Sequence, residues 1–180
     1  NDFHLTAQDL EYVYRGMRDQ VRREKRAMEL EITDEVNELV QRRRQALMAQ
    51  EQQRSSTFLE QAAREQGVVK TQSGLLFRSL AEGTGPSPTV EDTVKVHCRG
   101  LGMSGAEFAN SYKEGMPRQF LVGRTLRCLS EGLQLMKVGG KAKLVCPTEL
   151  AFNVVGLGKQ VPPGAAVIFE LELLEVVRAE

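Results

Sequence analysis

Polar and apolar positions along the chain change period near residue 70. Before it, apolar residues recur at helical spacing. Leu10, Val13, Tyr14, Met17 and Val21 share one face, opposite Arg15, Arg18, Asp19, Arg22 and Arg23. Thr6 and Asp9 have the form of a capping box in front of this helix, with Asp9 in the usual Glu/Gln place. Met28, Leu30 and Ile32 read as an apolar connector, and Thr33 as the N-cap of a second helix with Asp34 and Glu35 in its first turn. Residues 34–66 contain neither Pro nor Gly, and Gly67 supplies the stop. At about 1.5 Å per residue this helix is about 50 Å long. It carries Val36, Leu39, Val40, Leu47 and Met48 near its start, and Phe58, Leu59, Ala62 and Ala63 near its end. The intervening AQEQQRSST is almost wholly polar, so the helix is expected to act as a strut with a solvated middle. The upstream stripes exceed what two helices bury on each other, which predicts self-association through a two-chain helical module.

From Gly74 onward the period is two. LLFRSL is a candidate strand, EGTGPSP a loop, and TVKVHCR a strand with Val94, Val96 and Cys98 opposite Lys95, His97 and Arg99. Short strand pieces are expected around Phe108 and Phe120. LRCLSEGLQLM is a short helix with Leu126, Leu129, Leu133 and Met136 on one side, and it runs into a strand through Gly139 and Gly140. VIFELELLEV closes the set. The predicted architecture is α+β: an N-terminal helical module over 1–33, a connecting helix over 34–66, and an antiparallel sheet of about five strands wrapped on one helix over 67–180. The segment TELAFNVVGLGKQVPPGAA is a loop that carries Phe152, Val154, Val155, Leu157 and Val161, an unusually apolar content for a surface connection. It reads as the wall of an apolar pocket.

Charge and composition then remove classes of function. The chain has 24 basic and 24 acidic residues and no net charge, so no nucleic-acid or anionic-membrane partner is expected. No run of apolar residues is long enough to span a bilayer. The sequence starts at Asn1, and a processed chain or a fragment is expected, with any signal segment upstream. Cys98, Cys128 and Cys146 lack metal-ligand spacing and read as three buried thiols; no metal or cofactor is expected. GxSxG, Walker, HExxH and GxGxxG motifs are absent, and only His4 and His97 could serve as imidazole bases. An enzyme with these residues works without acid–base or nucleophilic groups. Rotation about a prolyl peptide bond fits, because its barrier is amide resonance, about 18–20 kcal/mol, and no bond is broken.

The runs VKVHCRG, GAEF, SYKEGMPRQF, SEGLQLMKVGGKAKLVCP, ELAF and VPPGAAVIFELELL, in that order, resemble the FKBP-type peptidyl-prolyl isomerases over about residues 74–176. Upstream, DLEYVYRGMRDQV, the long helix and FLEQAAREQGVVKTQSGLLFRSLAEGTG resemble the dimerisation domain, connecting helix and domain entry of the macrophage infectivity potentiator type. The resemblance implies a homodimer, a periplasmic or outer-membrane-associated setting, unfolded or proline-containing protein clients, and a pocket made of Cys98, Phe108, Ala109, Phe120, Thr125, Leu126, Leu129, Phe152, Val161 and Phe169. Cys98 stands where the family usually has Tyr, Ala109 where it has Asp, Leu129 where the best-studied members have Trp, and Phe152 where a Tyr hydroxyl bonds the substrate carbonyl. A prolyl isomerase of reduced activity is therefore expected. The alternatives are a non-catalytic dimeric chaperone and an adaptor on the same fold.

Overall fold

The alternation in TVKVHCRGLG becomes the central strand of the sheet. In the computed structural model, β3 (Thr93–Gly102) buries every second residue, Val94, Val96, Cys98, Gly100 and Gly102, against the core. The structure describes residues 10, 11, 14, 27–153, 155–158 and 160–178; for 27–35 it describes the backbone alone. The predicted first helix and its capping box lie almost wholly outside the described residues. Packing divides the chain into two units, Asn1–Arg44 and Gln45–Glu180.

Around β3 the other strands are β1 (Val68–Lys70), β2 (Leu76–Ala81), β4 (Glu107–Asn110), β5 (Arg118–Leu121), β6 (Lys141–Cys146) and β7 (Val167–Val177). All pairings are antiparallel, in the order β1-β2-β6-β7-β3-β4, with β5 also on β3. Seven strands replace the predicted five or so: β1 is a three-residue addition, and the pieces around Phe108 and Phe120 are separate strands. β4 and β5 share one edge of β3. β5 pairs with Thr93 to Val96 and β4 with Arg99 to Leu101, which leaves His97 and Cys98 between them.

The sheet curls on α2 (Arg127–Gln134), whose Cys128, Leu129, Gly132 and Leu133 are buried. Gly132 is needed there for closeness: a Cβ on it would lie 2.4 Å from Leu144 Cδ1 on β6. Leu75, Val94, Val96, Val122, Leu133, Leu144, Val167 and Leu173, all fully buried, fill the space between helix and sheet.

The outer face of the sheet is built in rows. His97, Glu172 and Lys141 form one; Arg99, Glu170, Lys143 and Arg78 form the next. Arg99 holds both Glu107 (2.7 Å) and Glu170 (3.3 Å), and Lys113 adds a 2.5 Å contact to Glu107. Hydrogen bonds from Lys113 first, then Arg99 and Asn110, draw the Glu107 carboxyl down to a pKa of about 2. The third row, Ile168, Val145 and Leu76, is apolar and is covered by Phe58, Leu59 and Ala62.

Those three residues end α1 (Ala27–Ala63). The described helix is already formed at Ala27, so Thr33 and the expected connector Met28, Leu30 and Ile32 are helical, and it stops three residues short of Gln66. No Pro or Gly in this stretch resists continuation, and helix propensity overrides the local capping pattern. Within residues 27–44, Val36, Leu39 and Val40 are exposed, more than a third of each side in water. Within the larger unit, the second half of the helix is docked rather than free. Ser55, in the middle of the supposedly solvated AQEQQRSST, is 3% exposed, and its Oγ accepts a 2.8 Å hydrogen bond from the Ala166 N–H. Gly164 allows the approach, since a Cβ there would sit 3.0 Å from Gln52 Cγ and 3.3 Å from the Met48 carbonyl oxygen. A single hydroxyl thus docks a stretch that hydropathy reads as wet.

Candidate functional site

At the open side of the sheet, three phenylalanines meet edge to face. Phe108 of β4 lies 5.7 Å from Phe152 (83° between planes) and 5.6 Å from Phe169 of β7 (90°). This offset geometry sets a positive ring edge against a negative face and stabilises each pair by about 0.5–1.5 kcal/mol. Two features of β4 put Phe108 there. The register slips between Gly100 and Leu101, so Phe108 is the extra residue of a β-bulge and turns inward with Ala109, which lies opposite Gly100. Gly100 in turn leaves room for the ring: a Cβ would meet Phe108 Cε2 at 2.4 Å.

Cys98, Leu129, Val161 and Phe169 are buried in the same core, and Phe108, Phe120, Leu126 and Phe152 pack against it half-buried. Eight of the ten predicted pocket residues are therefore brought together. The remaining two, Ala109 and Thr125, are half-buried on β4 and in the link before α2. Met103, in the β3–β4 turn, packs against this core too and was absent from the predicted set. Its single long side chain in a Gly-flanked turn carries no periodic signal.

Phe152 and Val161 belong to the loop between β6 and β7. Among its described residues the loop is held by its own bonds: Thr148 Oγ1 donates to the Asn153 carbonyl (3.0 Å), the Asn153 N–H to the Thr148 carbonyl (2.8 Å), and Leu157 bridges Val161. Thr148 is buried, and Asn153 takes a left-handed φ of 51° to complete this turn.

The polar chemistry is sparse. Burial raises the Cys98 thiol above its ordinary pKa, against a smaller opposing effect of Arg118, so it is a neutral thiol rather than a thiolate. Cys128 and Cys146 are fully buried free thiols. His97 lies on the outer face, stacked on Tyr112 with centroids 4.2 Å apart, and does not face the phenylalanines. Tyr112 donates a 2.6 Å hydrogen bond to Glu172, and burial together with that bond raises the phenol to about 12. Among the described residues no three His, Cys, Asp or Glu side chains converge as metal ligands would. A cleft of about 370 Å³ opens elsewhere, between α1 (Gln53, Arg54, Thr57, Phe58, Gln61) and the β3–β4 turn (Met103, Ser104). It contains none of the predicted residues, so the aromatic cluster carries the functional argument.

Fold and site together define a class: an antiparallel sheet wrapped on one helix, with a cluster of aromatic and apolar side chains that holds no acid–base group. The sequence matches the family described as FKBP-type peptidyl-prolyl cis-trans isomerase over residues 85–174, and the domain amino-terminal to it over residues 4–78. The chain belongs to the FKBP-type peptidyl-prolyl cis-trans isomerase family. It is 40% identical over 120 residues to the FKBP-type 22 kDa peptidyl-prolyl cis-trans isomerase of Escherichia coli, covering 67% of this chain and 58% of that one. It is 35% identical over 120 residues to a macrophage infectivity potentiator of Trypanosoma cruzi, covering 66% and 61%. The crystal structure of FkpA from Escherichia coli superposes with a TM-score of 0.80 at 31% identity, covering 96% of this chain and 84% of that chain. The chain thus spans somewhat more than half the length of these curated relatives.

Proposed function

We propose that the chain catalyses cis–trans isomerisation of X-Pro bonds in protein clients, with the aromatic cluster as the proline site. The edge-to-face trio of Phe108, Phe152 and Phe169 carries this reading. It offers ring edges and faces to a pyrrolidine, and an apolar surround in which the twisted, less polar amide is favoured over the planar one. Cys98, Ala109, Phe120, Thr125, Leu126, Leu129 and Val161 complete the proposed site. No proton transfer is required of any of them. The rate is set low by the missing hydroxyl at Phe152 and missing carboxylate at Ala109. The test is a protease-coupled or NMR exchange assay on a short X-Pro peptide. A rate above background at micromolar protein is expected, and none would sink the enzyme reading.

In the proposed organisation, residues 1–33 pair two chains, the long helix connects, and 67–180 is the isomerase domain. The match to the domain amino-terminal to the isomerase family and the exposed Val36, Leu39, Val40 and Leu47 support a homodimer. Light scattering on the parent should give a dimer and on Val40→Asp/Leu47→Asp a monomer; a monomeric parent overturns it. The same exposed stripe favours a second reading, a dimeric chaperone that holds unfolded chains without catalysis. Suppression of client aggregation by a parent lacking peptide activity, and its loss in the monomeric variant, would select that reading. A periplasmic or outer-membrane-associated setting rests on the likeness to the infectivity potentiator type, and cell fractionation of the tagged natural protein tests it. Among the described residues no helix is long and apolar enough to cross a membrane.

A further inference from the structure

The edge of β3 that carries both β4 and β5 has a gap at His97 and Cys98, and Cys98 is a wall of the proposed proline site. Ser111 follows directly on β4 and continues its register to face Cys98. Its N–H donates to the Cys98 carbonyl at 3.0 Å, as a ladder partner would. The reciprocal bond does not go to the Ser111 carbonyl, because the chain turns away there into the loop toward Pro117. Instead the Cys98 N–H donates to Ser111 Oγ at 2.9 Å. The hydroxyl replaces the carbonyl that a longer strand would supply.

Ser111 is fully buried, so the Cys98 N–H is not served by water if the hydroxyl is lost. Oγ also shares a hydrogen bond with His97 Nδ1, 3.0 Å away, in which either atom can donate according to the ring tautomer. His97 is held flat against Tyr112, whose hydroxyl is anchored on Glu172 of β7. A chain of contacts from the outer face therefore ends at the backbone of a pocket residue.

We propose that Ser111 is a positioning residue for the isomerase site: its paired hydrogen bonds to Cys98 close the gap in the β3 edge and hold that wall in register. The inference rests on reading the aromatic cluster as the isomerase site. Ser111 acts on that site through the Cys98 backbone.

The full-length chain is compared with Ser111→Ala and Ser111→Thr in a peptide isomerase assay, with amide hydrogen exchange read at Cys98 by NMR. Ser111→Ala should lower kcat/KM about tenfold at temperatures well below its melting point and speed exchange at the Cys98 amide at least about tenfold. Ser111→Thr, which keeps an oxygen in place, should restore both to within about threefold. Parent-like kcat/KM in Ser111→Ala, or a loss that Ser111→Thr does not restore, overturns the proposal. If the parent turns over no X-Pro peptide, the isomerase reading fails, and exchange at Cys98 still decides whether Ser111 clamps it: unchanged exchange in Ser111→Ala refutes the clamp. If Ser111→Ala does not fold, the parent decides: slow exchange at the Cys98 amide supports the clamp, and fast exchange overturns it.

Discussion

Gly100→Ala is the substitution that most directly separates fold from function. Gly100 has no left-handed φ, so alanine suits its backbone, and the obstacle is one side chain. The new methyl would sit 2.4 Å from Phe108 Cε2 and 2.6 Å from Cζ. An ordinary carbon–carbon contact is about 3.5 Å, so the ring must retreat by about 1 Å. Phe108 is the hub of the aromatic cluster, and its retreat disturbs both edge-to-face contacts, each worth about 0.5–1.5 kcal/mol. Overpacking a closed core costs about 1–3 kcal/mol. Phe108 is half-buried and has solvent to move toward, so the lower part of that range, about 1–2 kcal/mol, is expected. At this chain length that lowers Tm by about 2–8 °C. The proposed proline site loses a wall, and kcat/KM should fall about tenfold or more. Urea denaturation reads the first quantity and the peptide assay the second. Adding Phe108→Leu to Gly100→Ala should recover stability and leave activity low, a coupling that a double-mutant cycle isolates. Parent-like kcat/KM in Gly100→Ala, with Tm lowered as stated, would show that Phe108 is core and not site.

Three more outcomes are expected. Phe152→Tyr returns a hydroxyl to the rim of the cluster and should raise kcat/KM about threefold to tenfold at unchanged stability; no gain would refute the hydrogen-bond account of weak activity. Ser55→Ala orphans the buried Ala166 N–H and should cost about 1–3 kcal/mol in denaturant unfolding, whereas a cost within error would show that the helix does not dock there. Glu107 has its folded-state pKa depressed to about 2 from 4.5, so its contribution to stability is present above pH 4.5 and disappears as pH falls through 2. Denaturation midpoints between pH 5 and pH 2 should therefore fall more steeply for the parent than for Glu107→Gln, and parallel profiles would be the contrary result.

The residues legible in the sequence are those whose signal is periodic or ordered. Alternation in TVKVHCRGLG and VIFELELLEV marks β3 and β7, and the i, i+3, i+4 spacing of Leu126, Leu129 and Leu133 marks α2 with its buried side. Eight of the ten residues that motif order proposes for a pocket share the one hydrophobic core. What escaped was carried by single polar atoms or by register. Ser55 is invisible to any scale that counts serine as wet, because one hydroxyl matched to one backbone N–H decides its burial. The bulge that turns both Phe108 and Ala109 inward breaks the period-two rule used to assign faces. Ser111 opens the run SYKEGMPRQF, but its proposed role depends on a strand gap that only pairing reveals.

The docking of α1 changes where this molecule can be cut. A truncation that begins at Gly67 would follow the domain limit suggested by sequence, and it would strip Phe58, Leu59 and Ala62 from Leu76, Val145 and Ile168 while orphaning Ala166. The fragment would carry a bare greasy strip on its outer face, an invitation to aggregate that says nothing about the isomerase itself. A fragment beginning near Gln45 keeps the lid on that strip, and tests of the proposed activity on a separated domain belong on the longer piece.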